Sequence, residues 1–230
     1  MRNLPASRGR TRNPEPCMQY HRGMLAQEFD RQLANLLELG YPAAAGISEQ
    51  SFLQHVLPLR SLVRSLDLPV EPDEGRLPFV IVVSSQLVDT ECAMSLVSRD
   101  GKSGFVGLRP VQPHHFRPIE EASVPEGLAY LVCDLDRGAH TLNMPPDRAM
   151  ELLRAAGRSP LTIDEGIAIL THHPAFLKKN NCFSLVGSRG TDRRVPALWI
   201  SDGRPRLGWC WAGAPHTWLG SASCGSRCGA

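Results

Sequence analysis

The sequence predicts an α+β fold: an N-terminal helical hairpin, a mostly antiparallel sheet and two further helices. Three observations lead there. Apolar residues recur every three to four positions between Met24 and Leu66. After the Pro/Asp/Glu/Gly stretch of residues 69–78 the period becomes that of strands. The connections between the later strands are too short for parallel crossovers.

The elements follow in order. Residues 1–22 are rich in Arg, Pro, Asn and Ser without periodicity, and a disordered basic leader is expected there. From Met24, the residues Leu25, Phe29, Leu33, Leu36 and Leu37 make one helical face, which Gly40-Tyr41-Pro42 ends. Ser48 is placed as the N-cap of a second helix, which Pro58 should kink or split. Residues 79–84 read as a buried strand. Residues 92–98 and 104–108 read as two more, joined through the turn Arg99-Asp100-Gly101-Lys102. Residues 109–127 are proline-rich and irregular, and residues 128–134 form another strand. Pro145 or Pro146 opens a helix that stops at Gly157. Thr162 and Glu165 form a capping box for the next helix, which ends at His172 before Pro174. Strands at 182–187, 195–200 and 206–212 complete a single domain over residues 23–222. A flexible tail is expected at 223–230.

Composition narrows the class. With 42% hydrophobic and 21% charged residues the chain reads as an ordinary soluble globular protein. The formal charge is +2, and Arg2, Arg8, Arg10, Arg12 and Arg22 against Glu15 give the first 23 residues +4, so the remainder sums to −2. A nearly neutral body lacks the basic face a dedicated nucleic-acid binder needs. Arginine outnumbers lysine 22 to 3, which reflects a GC-rich coding genome rather than a binding demand. The N-terminal arginines precede no apolar stretch of signal-peptide length, and the apolar run at residues 79–83 is too short to cross a bilayer. Seven cysteines without an export signal are expected as reduced thiols in the cytoplasm.

The densest segment holds Trp199, Trp209, Trp211 and Trp218 together with Cys210 and His216. Two registers are open for its hairpin. A two-residue turn at Asp202-Gly203 sets Trp199 opposite Arg206 and puts Pro205 inside the ladder. A five-residue loop sets Trp199 opposite Leu207 and keeps Pro205 out. The second is preferred on the proline rule. It gathers Trp199, Trp209 and Trp211 on one packed face and turns Cys210 away.

Candidate chemistry concentrates in the same region. Arg189, Trp211, His216 and Trp218 are the expected contacts of a ligand at the rim of the hairpin. Cys210, His216, Cys224 and Cys228 have the donor types of a zinc site, although only Cys224 and Cys228 are spaced as paired ligands. Cys182 or Cys210 could act as a nucleophile with His216 as base. Asp134 and Asp136 share a side of a strand end, as a divalent cation would need, and equally read as a polar turn entry. His172 and His173 at a helix C-terminus suit the helix dipole when protonated. Arg189, Arg193 and Arg194 make a basic loop. No phosphate loop, dinucleotide turn or nucleophile elbow is present, and no cofactor is expected. The resulting expectation is a domain that binds a small molecule or a protein partner, with no nucleic acid and no membrane involved. The alternatives are a Cys/His-dependent enzyme and a metal-stabilised structural module.

The stretches Pro160-Leu-Thr-Ile-Asp-Glu-Gly166, Asn181-Cys-Phe-Ser-Leu185, Arg193-Arg-Val-Pro-Ala-Leu-Trp199, Leu207-Gly-Trp-Cys-Trp211 and Pro215-His-Thr-Trp-Leu-Gly220 carry a resemblance. The chain resembles uncharacterised bacterial proteins, mostly of high-GC Gram-positives, grouped as a domain of unknown function. The resemblance spans residues 24–224. It implies one family domain and brings no activity, cofactor or catalytic residue with it.

Overall fold

The computed structural model describes residues 15–63, 65–66 and 74–230, with side chains from residue 23 onward. In chain order the helices are α1 (Glu15–Glu38), α2 (Tyr41–Ala44), α3 (Glu49–Val56), α4 (Leu59–Val63), α5 (Thr90–Leu96), α6 (Pro146–Ala155) and α7 (Ile163–His172). The strands are β1 (Arg76–Val83), β2 (Ser98–Arg99), β3 (Lys102–Ser103), β4 (Phe105–Val106), β5 (Arg117–Pro118), β6 (Ala129–Asp136) and β7 (Ser159–Pro160). They continue with β8 (Cys182–Ser184), β9 (Ser188–Arg189), β10 (Arg194–Ser201), β11 (Arg204–Trp211), β12 (Leu219–Ser221), β13 (Ser223–Cys224) and β14 (Ser226–Cys228).

Two five-stranded sheets carry the fold. The first runs β1-β6-β13-β7 with β14 also on β6, and the second runs β12-β8-β10-β11-β4. Among the described residues the pairings are antiparallel apart from β4 with β11 and β8 with β12. The architecture is therefore α+β. Helix α7 packs on β1 and β10 and is buried along almost its whole length. Its run Ile163, Ile167, Ala168, Ile169 and Leu170 is apolar on all sides, as an enclosed helix requires.

Helix α1 packs Leu25, Phe29 and Leu36 inward, the face the periodicity predicts. Its Gln32 is fully buried and hydrogen-bonds strand β1, donating to the Phe79 carbonyl at 3.1 Å and accepting from Ile81 N–H at 2.8 Å. A side-chain amide thus occupies the place of a neighbouring strand on that edge. His172 Nε2 sits 3.0 Å from the Ile81 carbonyl, and its Nδ1 lies 3.4 Å from Asn35 Nδ2. Nε2–H donating and Nδ1 accepting satisfies both contacts.

The local signals hold where they depend on neighbouring residues. Ser48 accepts from Ser51 N–H as N-cap of α3, and the helical run breaks at Leu57-Pro58 before α4. Thr162 and Glu165 make both halves of the capping box on α7.

Five expectations are corrected. Helix α1 already spans Glu15, inside the segment read as leader; residues 1–14 lie outside the described residues. Residues 90–96 form helix α5 instead of a strand, because the Asp89 carboxylate accepts from Glu91 and Cys92 N–H as N-cap. Ala93 and Met94 are then buried on one side of the helix, and Val97 directly after it. The segment read as a flexible tail forms β13 and β14, paired with β6, and Cys224 is fully buried. His172 is neutral: burial lowers its pKa to about 3, so the dipole reading does not apply.

The fifth correction is the hairpin register. Trp199 pairs with Arg206 and Ile200 with Pro205 around the two-residue turn Asp202-Gly203. Both turn residues have positive φ, 53° and 74°, the conformation Asp-Gly favours in a type I′ turn. Ser201 and Arg204 flank the turn as the hydrogen-bonded pair, so the next pair, Ile200 and Pro205, points its backbone groups away from each other. Proline therefore costs this ladder nothing. The tryptophans separate as a result. Trp199 shares a face with Val195, Ala197, Gly208 and Cys210, while Trp209 and Trp211 share the opposite face with Leu198 and Leu207.

Gly208 makes room for the Trp199 ring. A Cβ built there would lie 2.0 Å from Trp199 Cη2. Gly208→Ala is expected to cost about 1–3 kcal/mol by forcing the indole aside. Urea unfolding followed by tryptophan fluorescence checks it, and a midpoint unchanged from the parent refutes it.

Candidate functional site

A cleft of about 410 Å³ opens between three loops at the N-terminal end of α7. The first loop, residues 84–91, links β1 to α5. The second, 112–118, leads into β5, and the third, 124–127, precedes β6. Tyr130, Thr162, Ile163, Asp164 and Ser188 close the inner side. One wall is held by a separate two-stranded ladder of β5 and β9, where Arg117 pairs with Arg189 and Pro118 with Ser188.

The inner side is built from buried polar groups. Glu165 is fully buried and accepts from Thr162 N–H at 2.7 Å and from the Tyr130 hydroxyl at 3.2 Å. Arg227 of β14 closes a bidentate pair on the same carboxylate, at 2.5 Å through Nε and 2.9 Å through Nη2. It also donates to the Ser159 hydroxyl and the Pro160 carbonyl. The C-terminal strand therefore fixes the first turn of the helix that lines the cleft. Ser188 Oγ accepts from Ile163 N–H at 3.0 Å, and Ser84 Oγ accepts from Gln86 N–H at 3.2 Å. Asp164, half-buried, accepts from Ser85 N–H at 2.8 Å, and burial raises its pKa.

The residues expected at the hairpin rim fall into separate groups. Arg189 is held 3.2 Å from Asp147, which Arg193 also contacts. His216 stacks at 5.3 Å on Trp218, whose ring meets Trp199 at 6.0 Å. Trp211 packs at 4.9 Å against Trp209, and Arg194 lies over both rings. No hydrogen bond, ion pair or ring contact joins the three groups among the described residues.

The thiol candidates are likewise apart from the base. Neither Cys182 nor Cys210 hydrogen-bonds His216 among the described residues; the Cys182 thiol donates to the Lys178 carbonyl at 3.3 Å. Burial raises the Cys182 pKa and lifts that of Cys210 to about 11, away from the thiolate form a nucleophile needs. Of the zinc candidates, Cys210 lies in the second sheet and Cys224 and Cys228 in the first, and no metal-competent cluster forms among the described residues. Asp134 pairs with Arg158 at 2.7 Å and Asp136 with Arg76 at 3.3 Å, so arginines occupy the place a divalent cation would take. Cys182 and Cys210 are expected to react with iodoacetamide at pH 7 far more slowly than half-buried Cys92 and Cys228. Timed quenching and peptide mass spectrometry check this, and faster labelling of either buried thiol would restore the nucleophile reading.

Sequence reasoning missed the cleft. Its residues come from loops that carry no motif, and the capping box drew attention to Thr162 and Glu165 while passing over Asp164 between them. The acidic residue at the helix start was the one available signal.

Fold and cleft define an α+β domain with a preformed pocket. The chain belongs to a family of unknown function, DUF5701, whose model matches residues 35–230. The match runs through β13 and β14, beyond the limit the sequence resemblance suggests. No curated protein and no solved structure matches this chain. No helix among the described residues is long and apolar enough to cross a membrane.

Proposed function

We propose that this protein binds a small polar molecule in the cleft at the start of α7. The observation that carries the reading is the cleft itself: about 410 Å³ of open volume, within the usual range for ligand sites, with convergent polar groups on a buried hydrogen-bonded floor. Exposed Gln86 at the rim makes no side-chain hydrogen bond among the described residues, so Gln86→Trp should fill the space without disturbing the floor. Native mass spectrometry of the protein incubated with a cell extract below 1 kDa tests the placement. An adduct retained by His216→Ala and Trp211→Ala but lost by Gln86→Trp is expected. Loss with the hairpin variants alone would move the site to that rim.

A second reading is supported by the tryptophan face. Trp211 is 48% exposed beside Trp209 and Arg194. Trp and Arg are the side chains that dominate protein interfaces, and a protein partner covering this patch fits them. Trp211→Ala in a pull-down with a defined partner would read it out.

A further inference from the structure

We propose that the cleft takes an organic cation, a ligand with a protonated amine or guanidinium, and that Asp164 is the residue that holds the positive nitrogen. This rests on the cleft being the binding site.

The argument starts from how this chain treats its carboxylates. Among the described residues, those withdrawn from full exposure are paired with arginine: Glu28 with Arg31, Asp134 with Arg158, Asp136 with Arg76 and Glu165 with Arg227. Asp164 is the exception. It is half-buried, it receives a hydrogen bond from Ser85, and no cation among the described residues stands against it. Withdrawing an ionised carboxylate from water without a counter-charge is unfavourable, and burial accordingly raises its pKa. Among the described residues, the one carboxylate both withdrawn from full exposure and without an arginine against it lines the cleft.

The surroundings reinforce the sign. Asp89 and Glu91 also line the cleft, against Arg117 and His114 on its outer edge. The Asp89 carboxylate is engaged at the start of α5, which leaves Asp164 as the inner anchor.

The neighbours define the rest of the ligand. Ser84 and Ser188, 7% and 2% exposed, each accept a backbone N–H but have no acceptor for their own hydroxyl hydrogen among the described residues. They suit oxygen acceptors adjacent to the cationic nitrogen, as in an amino sugar or an amino acid ester. Phe116, Val124, Pro125 and Ile163 supply apolar wall for a carbon skeleton, which a hydrated metal ion would not use.

The test is a thermal-shift and calorimetric titration at pH 7.5 with glucosamine, lysine methyl ester and agmatine as cationic probes. Glucose, succinate and calcium chloride serve as neutral, anionic and metal probes. At least one organic cation should raise the melting temperature with saturation. Asp164→Asn, which preserves the acceptor for Ser85, should weaken its binding at least tenfold. Asp202→Asn, at an exposed carboxylate in the hairpin turn, should leave it unchanged, and Gln86→Trp should abolish it. Equal binding by Asp164→Asn, or no response to any organic cation, overturns the assignment. If glucose, succinate or calcium binds instead and Gln86→Trp blocks it, the cleft remains the site and the cation assignment fails. If a cation binds and Gln86→Trp has no effect, both fail.

Discussion

Arg227→Ala is expected to destabilise the protein by about 3–5 kcal/mol, because it leaves the Glu165 carboxylate buried without its counter-charge. The geometry argues for the upper part of that range. Arg227 is 4% exposed and Glu165 0% by side chain, and their contact is bidentate. Glu165 also holds Thr162 N–H and the Tyr130 hydroxyl, so the loss reaches the N-terminus of α7. Replacing both members, as Glu165→Gln with Arg227→Met, removes the stranded charge and should recover much of the stability. Urea unfolding of the two single variants and the double variant measures this. A loss below about 1 kcal/mol for Arg227→Ala would show that the C-terminal strand contributes little to the fold.

Acid should destabilise the protein through His172, and the sign follows from the direction of its shift. Burial depresses its pKa from 6.5 to about 3. Below pH 6.5 the unfolded chain takes up a proton that the folded chain refuses. The stability His172 confers is therefore complete above pH 6.5 and is lost as pH falls toward the folded value, by about 1.4 kcal/mol per pH unit. Glu28 adds to the same trend at lower pH: though burial opposes it, hydrogen bonds from Arg31 and contact with His173 hold its pKa well below the usual carboxylate range. The difference between parent and His172→Gln isolates the histidine, since glutamine does not titrate and can donate to the Ile81 carbonyl. Denaturant titrations between pH 6.5 and 4.5 should give a steeper decline for the parent. Parallel curves would mean that His172 is charged in the native state.

What the sequence discloses divides along the range of the interaction. Caps and breaks were legible because their partners lie within a few residues: Ser48 with Ser51, Thr162 with Glu165, Pro58 at the break before α4. The hairpin was misjudged because two local rules conflicted. The Asp-Gly preference for positive φ prevailed, and Pro205 sat where no ladder hydrogen bond was due. The last strands were hidden by composition. Ser-Cys-Gly-Ser-Arg-Cys has too little apolar bulk to read as sheet, and it is held by β6 and by Glu165, more than sixty residues away in sequence. The cleft was illegible for the same reason. Residues 84–91, 112–118, 162–164 and 188 meet only once the sheets have formed, and Asp164 stands out by lacking a cationic partner among the described residues, which no spacing encodes.

Gln32 bears on association between copies of the molecule. Strand β1 ends its sheet, and a bare edge of eight largely apolar residues is a template for another chain's backbone. The amide of Gln32 occupies that template at Phe79 and Ile81, so a second molecule would have to expel a helix before it could pair there. A leucine at this position would keep the bulk and surrender the blockade. Self-association rising with concentration, in a protein still correctly folded, would be its signature in sedimentation or light scattering.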